Sequence, residues 1–320
     1  MTPEASERPA PALATGAPNG VLIVDKPRGP TSHDVVARVR RALKTRHVGH
    51  AGTLDPMATG VLVVAVGEAT KLVPWLTADD KTYETTIRLG IATDTLDAEG
   101  KETDRAEVPE ELVRAIESGN LRSALLDAAV ASERARCLQV PPAFSAIRIG
   151  GQRAHELARA GRLEADLPER PIEVRSLDVI GGRILDGAVE LDVRVEATKG
   201  FFVRSLARDL ARGLGTVGHL TSLRRGRSGA FTISDAIALE AVSRDGLMSV
   251  THAASRALPV TVLDEAGVRA VSYGQRVAPE QMKDAHTCPS AWLDGAPRLV
   301  AIGECGTDGW GRVLRGFPVA

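Results

Sequence analysis

The most regular hydrophobic pattern in the chain is an alternation of aliphatic and charged residues over positions 189–196. The aliphatic positions are Val189, Leu191, Val193 and Val195, and the charged positions are Glu190, Asp192, Arg194 and Glu196. Because successive side chains of a strand point to opposite faces, this pattern predicts a strand with one buried face. An unbroken apolar run from Val61 to Val66 predicts a further, buried strand.

Two segments have the spacing of an amphipathic helix. After a capping Thr31 or Ser32, apolar residues recur at Val35, Val36, Val39, Ala42 and Leu43. In the second segment, Arg204 to Arg212, the apolar face is formed by Leu206, Ala207, Leu210 and Ala211. A cation in the first helical turn opposes the helix dipole, so Arg204 suggests a compensating carboxylate or phosphate; the alternative is a solvated surface arginine.

The other segments have weaker patterns. They predict a strand at Val21–Val24, a short helix at Glu68–Leu76 weakened by Pro74, a strand at Thr82–Leu89, a loop at residues 93–100, one or two acidic helices within residues 109–133, and a helix at Gln152–Ala160. The turn-rich region after Arg256 predicts a small β-domain. Its short apolar stretches are Leu258–Leu263, Val268–Val271 and Leu299–Ile302.

The composition is that of an ordinary globular protein. The chain has 320 residues, of which 43% are hydrophobic and 25% charged, which leaves room for one large domain and one small domain. Residues 1–19 contain four prolines and neither a basic start nor an apolar stretch, which predicts a disordered tail. Apolar runs of strand length predict no membrane span, and a cytoplasmic location is expected.

The cysteines and histidines do not form a metal-binding pattern. Cys137, Cys288 and Cys305 are far apart and form no Cys-x-x-Cys pair, so we interpret them as reduced structural thiols. His47 and His50 are close in sequence, but a third or fourth ligand of metal-binding type is missing nearby. We therefore expect no metal site.

Charge is segregated along the chain, although the net charge is only −1. Residues 35–50 contain five lysines or arginines and no acid, residues 199–227 contain seven against one acid, and residues 79–133 contain fourteen acids against six bases. If the two basic segments share a face, they form a footprint for a phosphate backbone while the acidic segment faces away. The alternative is that they are ordinary solvated helix faces.

One carboxylate lies in a loop built from small residues. Asp55 is the acid in the segment Gly49-His50-Ala51-Gly52-Thr53-Leu54-Asp55-Pro56-Met57-Ala58-Thr59-Gly60, directly before the predicted buried strand. Small residues allow close approach of a ligand, and Pro56 pushes Asp55 out of the helical region. On loop chemistry alone Asp55 is either a turn residue that caps local backbone or a catalytic group.

The whole segment resembles the TruB family of tRNA pseudouridine synthases. The resemblance is carried by the Asp55 segment followed by Val61-Leu62, by Val21-Leu22-Ile23-Val24-Asp25-Lys26-Pro27 before it, and by Gly67-Glu68-Ala69-Thr70-Lys71 after it. It covers about residues 20–250. It implies an enzyme that isomerises uridine 55 in the T loop of tRNA to pseudouridine, with Asp55 as the catalytic aspartate.

The resemblance also implies a substrate pocket around Asp55, formed by His50, Tyr83, Asp97, Phe202, Arg204 and Leu223. In this pattern Arg204 pairs with Asp55, Tyr83 stacks on the flipped base, and His50 enters the space that the uridine leaves. Asp97 aligns with a second acid near the site. The candidate contacts to the RNA backbone are Arg38, Arg41, Lys44, Lys71, Lys199, Arg208 and Arg224.

One position departs from the family pattern. Phe202 stands where the family commonly has tyrosine, so the ring is present without its hydroxyl. We expect the ring alone to suffice as a wall of the pocket. Whether Asp55 attacks C1′, adds to the pyrimidine or abstracts a sugar proton stays open, and we favour proton abstraction. None of these routes consumes a cofactor.

The implied fold is α+β, with a mixed, mainly antiparallel sheet flanked by helices. The implied domains are a catalytic domain over residues 20–254, with a mobile RNA-closing segment at about 131–160, and a PUA-like RNA-binding domain over 255–320. The expected partner is the T-arm stem-loop of tRNA, with no membrane and a monomeric chain. The rival hypothesis is a non-catalytic protein that binds or folds tRNA.

A second motif points to a different class of protein. Gly213-Leu214-Gly215-Thr216-Val217-Gly218 matches G-x-G-x-x-G, which binds dinucleotides when a strand precedes it and a helix follows. Here an amphipathic helix precedes it, so we interpret these glycines as a helix end and a turn.

Overall fold

The computed structural model describes residues 16–78, 80–119, 121, 123–162 and 167–318. Of the predicted tail over residues 1–19, the first fifteen positions lie outside the described residues. The helices are α1 (Ser32–Leu43), α2 (Val73–Ala78), α3 (Glu110–Glu117), α4 (Ala124–Arg134), α5 (Ala154–Arg159), α6 (Val203–Gly213), α7 (Val250–Ala257) and α8 (Glu265–Ser272). Within the described ranges, none of them is long and apolar enough to cross a membrane.

The strands lie singly or in runs before, between and after these helices. In the first half they are β1 (Gly20–Lys26), β2 (Val48–Ala51), β3 (Thr59–Val66), β4 (Lys81–Leu89), β5 (Ile91–Thr93), β6 (Glu102–Arg105), β7 (Leu138–Gln139), β8 (Arg148–Ile149) and β9 (Gln152–Arg153). In the second half they are β10 (Arg170–Pro171), β11 (Val174–Leu185), β12 (Ala188–Ala197), β13 (Gly218–Ser228), β14 (Phe231–Thr232), β15 (Ile237–Ala238), β16 (Val260–Leu263), β17 (Met282–Lys283), β18 (Ser290–Leu293), β19 (Leu299–Cys305) and β20 (Gly311–Gly316).

A central sheet organises the molecule. Among the described residues it has nine strands, in the order β11-β12-β4-β13-β3-β1-β15, with β14 beside β13 and β2 beside β3. Most neighbours are antiparallel, and the pairs β3 with β13 and β1 with β15 are parallel. The predicted α+β class with a mixed, mainly antiparallel sheet is confirmed.

Strand β3 is buried on both faces, which explains its unbroken apolar sequence. Leu62, Val64 and Val66 belong to the core under α1 and α6. Val61 and Val63 face a second core that contains residues of β18 and β19. These two strands belong to a C-terminal sheet with the order β17-β16-β18-β19-β20, so the predicted β-rich C-terminal region is present and shares a core with the central sheet.

Local signals account for most of the element boundaries. Thr31 caps α1 through a capping box with Asp34, and α1 buries the valines predicted from its spacing. Helix α6 ends at Gly213, and Gly215 takes a φ of +77° before β13 begins, as expected for a helix end followed by a turn. The dinucleotide motif is therefore not a phosphate-binding turn in this fold.

Three predicted elements differ from the structure. The predicted helix at Gln152–Ala160 begins only at Ala154, because Gln152 and Arg153 form β9 and pair with β8. The predicted helix at Glu68–Leu76 is a 3₁₀ helix over Gly67–Leu72 followed by α2, because the proline at position 74 is tolerated in the first turn of a new α-helix. The apolar stretch Val268–Val271 lies in α8, whose start is capped by Asp264. The C-terminal region therefore contains helices as well as the predicted strands.

The shared core predicts that the C-terminal sheet and the central sheet unfold together. Ile302 is fully buried in β19, so we expect Ile302→Ala to lower the free energy of unfolding by about 2–5 kcal/mol in a single transition. Calorimetry monitors the transition. Tyr273→Ala, at a side chain that is 79% exposed, is the control and is expected to stay within about 0.5 kcal/mol of wild type. Two separate transitions, with only one shifted, would contradict a shared core.

Candidate active site

Asp55 and Arg204 form a two-pronged ion pair at the centre of the site. The Arg204 Nε donates to Asp55 Oδ2 at 2.9 Å, and Arg204 Nη2 donates to Oδ1 at 3.2 Å. The arginine side chain is 5% exposed, whereas that of Asp55 is 34% exposed. The pair fixes the carboxylate in orientation and leaves its outer edge open to a ligand.

The remaining donors of Arg204 bind two other segments. Nη1 donates to the Thr95 carbonyl and Nη2 to the Phe144 carbonyl, both at 2.9 Å. Asp97 Oδ2 lies 3.8 Å from Arg204 Nε, and its other oxygen accepts a hydrogen bond from the Thr95 hydroxyl. Arg204 therefore joins α6, the Asp55 loop, the loop after β5 and the segment after β7. Its position at the N-terminus of α6 is compensated by carboxylates, as the sequence suggested.

Two further side chains, from Ser32 and Lys26, also bind the main chain of the Asp55 loop. Ser32 Oγ donates to the Leu54 carbonyl and accepts from the Leu54 amide, at 3.1 and 2.8 Å. Lys26 is fully buried, and its Nζ donates to the carbonyls of Pro27 and Pro56. Since loop polar groups usually face water, this amount of side-chain support indicates a loop held in one conformation.

A cavity of about 290 Å³ opens beside the carboxylate. Its walls include Tyr83 and Leu223, which are 8% and 6% exposed, and Phe202 at the start of α6. The Phe202 main chain is fixed by the side chain of Gln139, which accepts from its amide and donates to its carbonyl. The structure thus brings Asp55, Tyr83, Phe202, Arg204 and Leu223 together, as the sequence resemblance implied.

A second cavity of about 540 Å³ shares Asp55 and Arg204 with the first. It is lined by His50 and Asp97, and the His33 ring lies edge-on to that of His50 with centroids 5.3 Å apart. Burial, with smaller effects of His33 and Arg225, lowers the pKa of His50 to about 4. The His50 imidazole is therefore neutral at neutral pH. Its Nδ1 is buried and has no hydrogen-bond partner among the described residues.

The outer wall of this second cavity is basic, which the sequence did not indicate. It is formed by four side chains of the segment around α5: Arg148, Arg153, His155 and Arg159. Their only sequence signal is an excess of bases, since residues 148–159 contain three arginines against one acid, Glu156. The acidic segment, by contrast, does not lie wholly away from the site. Asp97 and Glu99 line the cavity because the loop after β5 folds back onto β13.

The predicted RNA-backbone residues separate into two groups in the described part of the chain. Four are ion-paired within the protein: Arg38 with Glu240, Lys71 with Glu68, Arg208 with Asp209, and Arg224 with Asp25. Arg208 also donates to the Val140 carbonyl, so it serves the fold rather than an exposed surface. The other three are exposed: Arg41, Lys44 and Lys199.

The chemistry of the site is that of a carboxylate. No group of three or more histidines, cysteines or acids with metal-binding geometry occurs among the residues that the structure describes. The three cysteines are free thiols: Cys137, Cys288 and Cys305.

Two family models match the chain on either side of the start of α6. The TruB family pseudouridylate synthase N-terminal domain matches residues 40–203, and the tRNA pseudouridylate synthase B C-terminal domain matches residues 204–264. The ion pair between Asp55 and Arg204 therefore joins the two matched regions.

Named relatives and a solved structure agree with these matches. The tRNA pseudouridine synthase B of Corynebacterium efficiens is 44% identical over 270 residues, covering 84% of this chain and 87% of the relative. That of Thermobifida fusca is 44% identical over 291 residues, covering 89% and 94%. A crystal structure of a Cbf5-Nop10-Gar1 complex superposes with a TM-score of 0.65 at 25% identity, covering 90% of this chain and 79% of that chain.

The buried Lys26 predicts a specific dependence of stability on pH. Burial lowers its pKa to about 8, against the opposing effects of Asp55 and Glu99. Between about pH 8 and the ordinary lysine value of 10.5 the unfolded chain binds more protons than the folded chain, so this group makes the protein more stable as pH rises through that window. Below pH 8 its contribution is flat.

Denaturant unfolding of wild type and Lys26→Met at pH 7, 8, 9 and 10 measures this effect. The difference in unfolding free energy between the two proteins is expected to grow in favour of wild type above pH 8, by up to about 3 kcal/mol. Lys199→Met, at an exposed lysine, is the control and is expected to leave the slope unchanged. A pH-independent difference for Lys26→Met would contradict the lowered pKa.

Proposed function

The chain belongs to the TruB family of pseudouridylate synthases, and we propose that it isomerises uridine 55 in the T loop of tRNA to pseudouridine with Asp55 as the catalytic carboxylate. Its relatives carry the name tRNA pseudouridine synthase B, which supports tRNA as the substrate. The observation that carries the proposal is the two-pronged ion pair of Arg204 with Asp55. It presents one oriented carboxylate to a cavity large enough for a single flipped nucleoside.

The orientation of Asp55 suits a group that exchanges a proton or a bond with the substrate. Each of its oxygens accepts one hydrogen bond from Arg204, and an ionised carboxylate oxygen has two lone pairs. One lone pair on each oxygen is therefore available on the side of the cavity. Arg204 acts as a positioning residue, because its side chain is 5% exposed and its donors bind Asp55 and two main-chain carbonyls.

The reaction is an exchange of one glycosidic bond for another. The bond from N1 to C1′ breaks, the uracil rotates, and C5 forms the new bond to C1′ while its proton is lost and N1 gains one. In the route that we favour, Asp55 takes a proton from the sugar as the first bond breaks and returns it after the second forms. Atoms and electrons balance without a redox step, so the reaction needs no cofactor.

The walls of the two cavities suit a nucleotide removed from its stack. Tyr83 offers a ring for stacking, and Leu223 and Phe202 exclude water around the base. The neutral His50 stands in the adjoining cavity, where it can fill the space that the flipped uridine leaves in the T loop. Unstacking costs a few kcal/mol, which these contacts offset.

Contacts outside the pocket extend the proposal to the T arm. Arg41, Lys44 and Lys199 are exposed cations that can neutralise backbone phosphates. The segment at residues 131–160, three of whose arginines line the second cavity, would close over the T loop. The PUA-like region over residues 255–320 would bind RNA beyond the catalytic domain. We expect a monomer that acts in the cytoplasm on the T-arm stem-loop.

Removing the carboxylate tests the proposed catalyst. Asp55→Asn keeps the size and one hydrogen-bond acceptor of the side chain but cannot take a proton, so we expect the rate to fall by at least about 10³-fold. Tritium release from an unmodified tRNA transcript labelled at C5 of uridine measures the new bond, and carbodiimide labelling with primer extension locates it at position 55. An isolated T-arm hairpin is expected to be converted as well.

Asp178→Asn is the matched control. Asp178 lies on β11, is half-exposed, and pairs with Arg134, a surface arginine at the end of α4. This variant is expected to keep wild-type activity. Tight tRNA binding with no conversion by the wild-type protein would refute the enzyme and favour the rival, a tRNA-binding or tRNA-folding protein. Conversion by Asp55→Asn at the wild-type rate would remove Asp55 from the mechanism.

The departure at Phe202 gives a second test of the pocket. If the ring acts only as a wall, Phe202→Tyr leaves kcat within about threefold of wild type, whereas Phe202→Ala opens the cavity to water and lowers kcat by at least about tenfold. Steady-state assays on the tRNA transcript measure both variants. A large rise in kcat for Phe202→Tyr would instead indicate that the family hydroxyl takes part in proton transfer.

A further inference from the structure

A buried arginine on β13 underlies the Asp55 loop without an acidic partner among the described residues. Arg225 is 1% exposed, and its guanidinium donates to three main-chain carbonyls. Nε reaches the Val61 carbonyl at 2.7 Å, Nη2 the Gly52 carbonyl at 3.0 Å, and Nη1 the Thr53 carbonyl at 3.4 Å. Burying a charge without an acidic partner is costly in free energy. We therefore expect the main-chain contacts of Arg225 to have a structural or functional role.

The carbonyls that Arg225 binds lie at both ends of the Asp55 loop. Gly52 and Thr53 precede Asp55, and Val61 follows it in β3. The planar fork of one guanidinium thus connects the two arms of the loop and fixes the distance between them. Gly52 has a φ of +90°, a conformation that favours glycine, and this turn of the main chain accompanies the hydrogen bond from Arg225 to the Gly52 carbonyl.

The main chain of Arg225 is held as tightly as its side chain. It pairs with Gly60 of β3 in parallel register and with Tyr83 of β4. A Cβ at Gly60 would lie 2.2 Å from the Arg225 carbonyl oxygen, so only glycine allows this approach. Arg225 therefore cannot shift relative to either the loop or the wall of the cavity.

We propose that Arg225 is a positioning residue for catalysis, whose guanidinium sets the place of Asp55 by holding the Gly52, Thr53 and Val61 carbonyls together. This proposal rests on the proposed function of Asp55 and adds a residue to it. The Arg225 side chain does not line the cavity and makes no hydrogen bond to the Asp55 carboxylate, so its effect on Asp55 passes through the loop backbone. A lysine keeps the charge but offers a single point donor that cannot bind three carbonyls in one plane.

Single-turnover kinetics with enzyme in excess over tRNA test the proposal, because the rate constant at saturation does not depend on the fraction of active enzyme. We expect Arg225→Lys and Arg225→Gln to lower this rate constant by about 10- to 100-fold, with the tRNA Kd changed by less than about threefold. The matched control is Arg194→Lys. Arg194 is an exposed arginine on β12 that pairs with Glu84 on β4, and this variant is expected to match wild type.

Amide hydrogen exchange in the free protein gives a readout that does not require activity. The Leu54 and Ala58 amides are hydrogen-bonded in wild type and are expected to exchange faster in both Arg225 variants, while amides of the distant C-terminal sheet keep their protection. If wild type proves inactive, the proposed function fails, and this measurement alone decides whether Arg225 holds the loop.

Three results would overturn the proposal. A wild-type rate constant in Arg225→Lys would show that the fork is not needed, and unchanged exchange at Leu54 and Ala58 would show that the loop does not depend on it. Failure of both variants to fold would assign Arg225 to the stability of the sheet rather than to the placement of Asp55.

Discussion

The structure depends on the burial of the Arg204 guanidinium against Asp55. A guanidinium that is 5% exposed is costly to bury unless its donors are hydrogen-bonded, and a carboxylate partner offsets more of that cost than neutral carbonyls alone. Arg204 meets this requirement with the two oxygens of Asp55 and the carbonyls of Thr95 and Phe144. Four chain segments therefore converge on one side chain, and the cavities lie where they converge.

Hydrogen bonds to the main chain around Asp55 explain why it can serve as a fixed carboxylate although it lies on a loop. The carbonyls from position 52 to position 56 all have partners within the protein. They are bound by Arg225, by Ser32, by the Ala58 amide, and by Lys26 together with the Gly29 amide. Because these five carbonyls are all hydrogen-bonded, this stretch has little freedom to move, and the entropy cost of ordering Asp55 falls on folding rather than on each turnover.

The sequence predicted the parts of the fold that follow from local patterns. The alternation on β12, the apolar run of β3 and the capped α1 are confirmed, since period and capping are local properties. The fate of individual charges could not be predicted in this way. Glu190 alternates like a solvent-facing residue yet is 3% exposed, because Arg88 and Arg183 reach it from neighbouring strands. Likewise the pairing of Asp55 with Arg204 spans 149 positions, and only the family resemblance suggested it.

The most direct test of this account is a crystal structure of the Asp55→Asn variant with a T-arm hairpin, in which the unreacted substrate stays in place. The account predicts uridine 55 flipped out of the loop, its base against Tyr83 and Leu223, and its ribose within about 3.5 Å of the residue at position 55. His50 would occupy the vacated space in the loop. A hairpin bound with uridine 55 still stacked in the loop, and the cavity beside position 55 unfilled, would contradict it.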